Sequence, residues 1–166
     1  MVVRMRDDDF FPIRAARTFP GTADRCGEAR AWIRGLLHPF PHARDAVELV
    51  ASELFANAVR HTASGEPGGE IEVTLTLSGE DPETLRLEVV DQGPGNSVPK
   101  QAARAILPGA DAQNGRGLFI ASILSRAWGR FPADHRRSGL ERGHPDSMVT
   151  WAEFCTHRDM EMAGNP

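Results

Sequence analysis

The chain has 166 residues, 40% hydrophobic and 25% charged, which suits one soluble domain with a single core. A net charge of -4 and a pI near 5.9 argue against nucleic acid as a direct partner. No apolar run is long enough to span a bilayer, and the N-terminal segment lacks a signal-peptide core, so a cytoplasmic protein is expected. Cys26 and Cys155 lie far apart without metal-ligand spacing and are expected to be reduced.

Residues 1–12 read as a flexible charged segment, and residues 13–19 as a short strand closed by Pro20-Gly21. Thr22 is the expected N-cap of a helix over residues 23–37, which the prolines of His38-Pro39-Phe40-Pro41-His42 stop. A second helix is expected over residues 43–61, with Val47, Val50, Ala51, Leu54 and Ala58 as its core-facing stripe. Residues 62–69 are rich in Gly, Ser and Pro and read as a loop. Apolar and polar residues alternate over 70–77 and again over 84–90, which predicts two half-buried strands joined as a hairpin.

Residues 96–114 carry no strong period beyond a possible short helix at 101–107. Gly115-Arg116-Gly117 then opens a third helix, whose expected apolar face runs from Leu118, Phe119 and Ile120 through Ile123 and Leu124 to Ala127 and Trp128. Residues 131–145 read as a polar loop or wide hairpin, 148–154 as a last strand, and 157–166 as a flexible tail. The economical architecture is a single α+β domain over residues 13–156, a two-layer sandwich with a mixed, mostly antiparallel sheet and its helices on one face.

Three stretches carry chemistry. Glu53, Asn57 and His61 are spaced four apart, so they stack along one side of the second helix, beside the apolar stripe rather than opposite it. An asparagine carbonyl is a hard ligand that suits Mg2+, and a neighbouring glutamate can take a proton from a hydroxyl. Asp91-Gln92-Gly93-Pro94-Gly95 follows a strand, where a fixed carboxylate can accept from the exocyclic amine of adenine while glycines admit a flat ring. Gly115-Arg116-Gly117-Leu118 precedes a helix, and free N–H groups at a helix N-terminus bind phosphate. Taken singly, each also fits an ordinary role: a solvated helix edge, a hairpin turn, a glycine-rich helix start. A dinucleotide fingerprint fails because Val98 stands where a third glycine belongs, and a P-loop fails because the only lysine, Lys100, follows Pro99.

In this order, the three motifs resemble those of the GHKL superfamily, which includes gyrase, histidine kinases and MutL. Glu53-x-x-x-Asn57 resembles its N box, Asp91-x-Gly93-x-Gly95 its first glycine box, and Gly115-x-Gly117-Leu118 its second. Within that group, Glu53-Leu54-Phe55-Ala56-Asn57-Ala58-Val59-Arg60-His61 is most similar to the anti-sigma-factor serine/threonine kinases. The resemblance implies the Bergerat ATP-binding fold, with ATP and Mg2+ bound. It implies Glu53 as general base, Asn57 as Mg2+ ligand, and Asp91 with Gly93 and Gly95 around adenine. Gly115, Arg116 and Gly117 would hold phosphates, Leu118 would begin the supporting helix, and residues 96–114 would form a short lid. His61 matches a family histidine, with a helix-end packing role. The implied partners are a sigma factor and an anti-sigma-factor antagonist, with the chain as a homodimer that touches neither nucleic acid nor membrane. A catalytically silent nucleotide-dependent binding module and a histidine-kinase-type ATPase domain are the alternatives. The polar segment 130–145 is longer than usual for the family and would alter a partner surface.

Overall fold

The computed structural model describes residues 13–78, 83–95, 116–133 and 145–156. The terminal segments 1–12 and 157–166, the expected lid, Gly115 and most of the polar segment before the last strand lie outside the described residues.

Five strands form one sheet in the order β1 (Ile13–Pro20), β2 (Glu70–Ser78), β3 (Thr84–Asp91), β5 (Met148–Cys155) and β4 (Ala127–Pro132). Every described strand pair is antiparallel, including the expected β2–β3 hairpin. The cross-strand register explains the alternation in the sequence. Val73 lies opposite Val89, Leu75 opposite Leu87, and Leu77 opposite Leu85, so one face of β2 and β3 is continuously apolar. Ala152 and Phe154 extend that face onto β5.

Three helices cover this face: α1 (Arg25–Leu36), α2 (Pro41–His61) and α3 (Arg116–Leu124). Pro41 opens α2 at its first turn, where its missing N–H costs nothing. Val47, Val50, Ala51, Leu54 and Ala58 are buried, as the stripe predicts, and Phe55 is buried beside them. Phe19 of β1 meets Phe55 edge to face at 6.1 Å and Trp32 of α1 at 6.0 Å, which closes the core between the layers. Glu48 on α2 is also buried, and Arg34 of α1 forks onto it, Nε to Oε1 at 3.0 Å and NH2 to Oε2 at 2.7 Å. That pair fixes the α1–α2 crossing with a charge the sequence pattern gave no reason to bury.

Three local expectations need correction. The N-cap of α1 is Asp24, without a side-chain capping bond, while the Thr22 carbonyl accepts from the Arg25 N–H in the preceding turn. The third helix ends at Leu124, so Ala127 and Trp128 belong to β4 rather than to its apolar face. Of the side chains assigned to that face, Leu118 is buried and Ile120 half-buried, whereas Phe119, Ile123 and Leu124 are exposed. The backbone between Ala127 and Pro132 gains more from pairing with β5 than from two further helical turns. Its Gly129 and Pro132 are tolerated because β4 is an edge strand.

Candidate functional site

Helix α2 borders the site along most of its second half. Glu53, Asn57 and His61 are all half-buried, as their position beside the apolar stripe requires. Helix α3 meets this row at its first turn. A methyl group at Gly117 would come within 2.4 Å of Asn57 Nδ2 and 3.3 Å of Glu53 Cβ. The φ of Gly117 is not positive, so glycine serves there for close approach alone. The N-terminal turn of α3, where a helix leaves its first N–H groups without intrahelical partners, therefore lies against the Asn57 amide and the Cβ of Glu53 on α2. Arg116 begins that helix, but its side chain lies outside the described residues. Leu118 turns inward and is buried in the main core, which holds the turn in place.

The second part of the site is the end of β3. Asp91 continues the inward face of Leu85, Leu87 and Val89, and is 4% exposed. Its Oδ1 accepts from the Gly93 N–H at 2.8 Å, and its Oδ2 accepts from Arg130 NH2 of β4 at 3.1 Å. Burial pushes the Asp91 carboxyl up from the usual carboxylate range, and the Arg130 cation and the Gly93 N–H pull against that shift. Gly93 has φ +74°, and a Cβ on it would sit 2.1 Å from the Asp146 carbonyl oxygen, so only glycine fits on both counts. At Gly95, a Cβ would come within 2.5 Å of Glu66 Oε1 and 3.4 Å of Ala63 Cα.

The loop after α2 locks this glycine turn in place. The Ala63 N–H donates to the Gly93 carbonyl at 2.8 Å. Ser64, fully buried, donates from Oγ to the Glu70 carbonyl at 2.7 Å and accepts from the Gln92 N–H at 3.0 Å. The Gln92 Oε1 in turn accepts from the Glu70 N–H at 3.2 Å. The start of β2, the end of β3 and the 3-10 turn Ala63–Gly65 are thereby tied through one hydroxyl. Replacing Ser64 with alanine leaves the buried Gln92 N–H and Glu70 carbonyl without that partner. The expected cost is about 1–3 kcal/mol in denaturant unfolding, with faster amide exchange at Gln92 and Gly93.

The two parts are joined by α2 itself: Asn57 touches the α3 turn, and only one helical turn, about 6 Å of rise, separates it from His61 at the helix end. The loop that follows holds Gly93 and Gly95. The sequence-predicted residues Glu53, Asn57 and Gly117 thus meet, as do Asp91, Gly93 and Gly95. His61 is desolvated, which with the Arg60 charge lowers its pKa, and among the described residues its buried Nε2 has no hydrogen-bond partner.

Two contributors were not found from the sequence. Ser64 lies in a stretch whose composition says only loop. Arg130 lies 39 residues from its partner Asp91, in a strand without alternating pattern, and among the described residues its buried Nε has no partner. A carboxylate at the end of a core-facing strand was the available signal: it demanded a cation that β2 and β3 do not supply on that face.

Among the described residues, no group of three or more His, Cys, Asp or Glu side chains is placed to hold a metal ion, and no helix is long and apolar enough to cross a membrane. No curated protein matches the chain. The family model described as the histidine kinase-like ATPase domain matches residues 19–130, from the end of β1 into β4, and takes in all three motif stretches. That match covers more than half of the chain, and a five-stranded antiparallel sheet under three helices is consistent with this kind of ATP-binding domain. The chain belongs to the family of histidine kinase-like ATPase domains.

Proposed function

We propose that the protein is an ATP-dependent serine/threonine kinase of the anti-sigma-factor type, cytoplasmic and homodimeric. In this reading it phosphorylates an antagonist protein and sequesters a sigma factor. The observation that carries the reading is the contact of Glu53 and Asn57 with Gly117 at the start of α3. In this reading Glu53 serves as proton acceptor and Asn57 as an amide ligand beside a helix N-terminus suited to phosphate. The similarity of residues 53–61 to the anti-sigma kinases supplies the finer assignment.

Asp91 accepts from the adenine amine, with Gly93 and Gly95 leaving room for the ring. The first turn of α3, with Arg116 and Gly117, binds the phosphates together with Gly115 before it. Glu53 takes the proton of a serine or threonine hydroxyl as its oxygen attacks the γ-phosphorus, while the bond to the β-phosphate oxygen breaks and ADP leaves. The donor set suits Mg2+, an ion usually held by one or two protein oxygens plus substrate phosphates and water. Asn57 would supply the protein oxygen: its Nδ2 is the end turned toward Gly117, which leaves Oδ1 on the far side of the amide. When bound, the ion neutralises phosphate charge.

The close approach of α3 gives a direct test of the shared site. Gly117→Ala forces the Asn57 amide to move, because the new methyl would sit 2.4 Å from Nδ2. The variant should keep its melting temperature and lose ATP affinity by roughly tenfold or more, a change of about 1.4 kcal/mol or more. Unchanged affinity would separate the α3 turn from the nucleotide.

The functional test is transfer of radiolabel from γ-labelled ATP to candidate antagonist proteins. The expected product is an acid-stable phosphoserine or phosphothreonine on the partner. An acid-labile phosphohistidine would favour the histidine-kinase reading, and nucleotide binding without any transfer would favour the binding module.

A further inference from the structure

Asp91 is the residue to which the proposed function gives base recognition, and its chemistry there depends on a neighbour with no role so far. A buried carboxylate is costly unless paired, and the usual escape is protonation. Arg130 pairs with it from β4. Directly opposite Asp91 on β5 stands Met148, whose side chain offers no hydrogen-bond donor. From the turn before β5, Asp146 brings its backbone carbonyl against Gly93. Among the described residues Arg130 alone acts on Asp91 by charge.

The two oxygens of Asp91 are not equivalent. Oδ1 is fixed as an acceptor by the Gly93 N–H, so a proton taken up by this carboxyl belongs on Oδ2. An ionised carboxylate has about four acceptor positions. Gly93 and Arg130 take two, and Oδ2 keeps one for a ligand. A protonated Oδ2 would instead present an O–H donor. It would then face the adenine amine donor to donor, and would suit a 6-oxo purine, whose O6 is an acceptor.

We propose that Arg130 is a positioning residue for base selection: by its contact with Oδ2 it keeps Asp91 an acceptor, and so selects 6-amino over 6-oxo purine nucleotides. The inference rests on the reading of Asp91 as the adenine acceptor. Displacement of Arg130 by the base is not required, since Oδ2 has room for both donors. The guanidinium acts through Asp91 and need not touch the nucleotide.

The experiment is a titration of the full chain with ADP and with inosine diphosphate at about pH 6 and about pH 8.5, the first nearer the ordinary carboxylate range and the second well above it. The wild type should prefer ADP by roughly tenfold or more at both pH values, as one mismatched hydrogen bond to a base edge implies. In Arg130→Met the cation is gone, the Asp91 pKa rises further, and protonation sets in at higher pH. The preference should fall toward one or invert at the lower pH and recover at the higher. Arg130→Lys should keep the wild-type ratio at both. A purely structural role would weaken both nucleotides alike and leave the ratio unmoved. If Arg130→Met does not fold, Arg130→Gln keeps length and a donor without the charge, and the same ratios are read. A wild-type ratio in the neutral variant at both pH values overturns the proposal. A wild type without preference for ADP overturns the adenine reading of Asp91 instead.

Discussion

Glu53→Ala should bind ATP within about threefold of the wild type and lose phosphoryl transfer by roughly 100- to 10,000-fold, the range for removal of a general base. The split follows from where Glu53 sits. It is half-buried on the border of α2, and its Cβ lies against the α3 turn rather than against the glycine turn that would hold the base. Truncation therefore removes a proton acceptor without opening the main core, which Leu54 and Phe55 fill from the same helix. Single-turnover transfer to a partner protein, measured beside equilibrium nucleotide binding, reads both halves of the prediction. A parallel loss of binding and transfer would make Glu53 a structural or ligand-binding residue.

Asn57→Ala should abolish the dependence of ATP affinity on Mg2+. The expected loss is roughly 10- to 100-fold in the presence of the ion, a size seen when a metal site loses a supporting group. In the presence of a chelator, affinity should match the wild type, because the phosphates would still meet the α3 turn and the base would still meet Asp91. The amide lies beside Gly117 and is only half-buried, so its truncation opens no hole in the main core, and the fold should be retained. An affinity that still responds to Mg2+ as the wild type does would remove Asn57 as the ligand.

The parts of the fold legible in the sequence are those whose own periodicity matched their burial. Helix α2 declares its stripe from Val47 to Ala58, and the polar row at its border follows from the same period. Strands β2 and β3 declare themselves by alternation, because one face meets the helices and the other does not. Strand β4 does not: Ala127-Trp128-Gly129-Arg130-Phe131-Pro132 has neither period, and only its pairing with β5 makes it a strand. The apolar residues of β4 therefore look like a continuation of α3, which ends at Leu124. The same gap hid Arg130. Its contact with Asp91 needs β4 placed on the far side of β5, a topological fact that no local pattern encodes. Ser64 was hidden for a different reason: its hydroxyl satisfies backbone groups of two strands, and backbone needs leave no trace in side-chain pattern.

For the site, spacing was informative where the partners share a helix and silent where they do not. Glu53 and Asn57 are four apart and had to be neighbours. The approach of Gly117 to both could be anticipated only through the ordered set of motifs, since 60 residues separate it from Asn57. The glycines then divide by cause. Gly93 answers to a positive φ and a carbonyl contact, and Gly117 to a neighbouring helix alone.

The most direct measurement is amide hydrogen exchange with and without saturating Mg2+–ATP, resolved along the chain. Protection should rise together at three places: residues 53–57 of α2, residues 91–95 after β3, and the first turn of α3 from Arg116. Protection at one of these with the other two unchanged would mean that the helix border, the carboxylate turn and the α3 N-terminus do not serve one nucleotide.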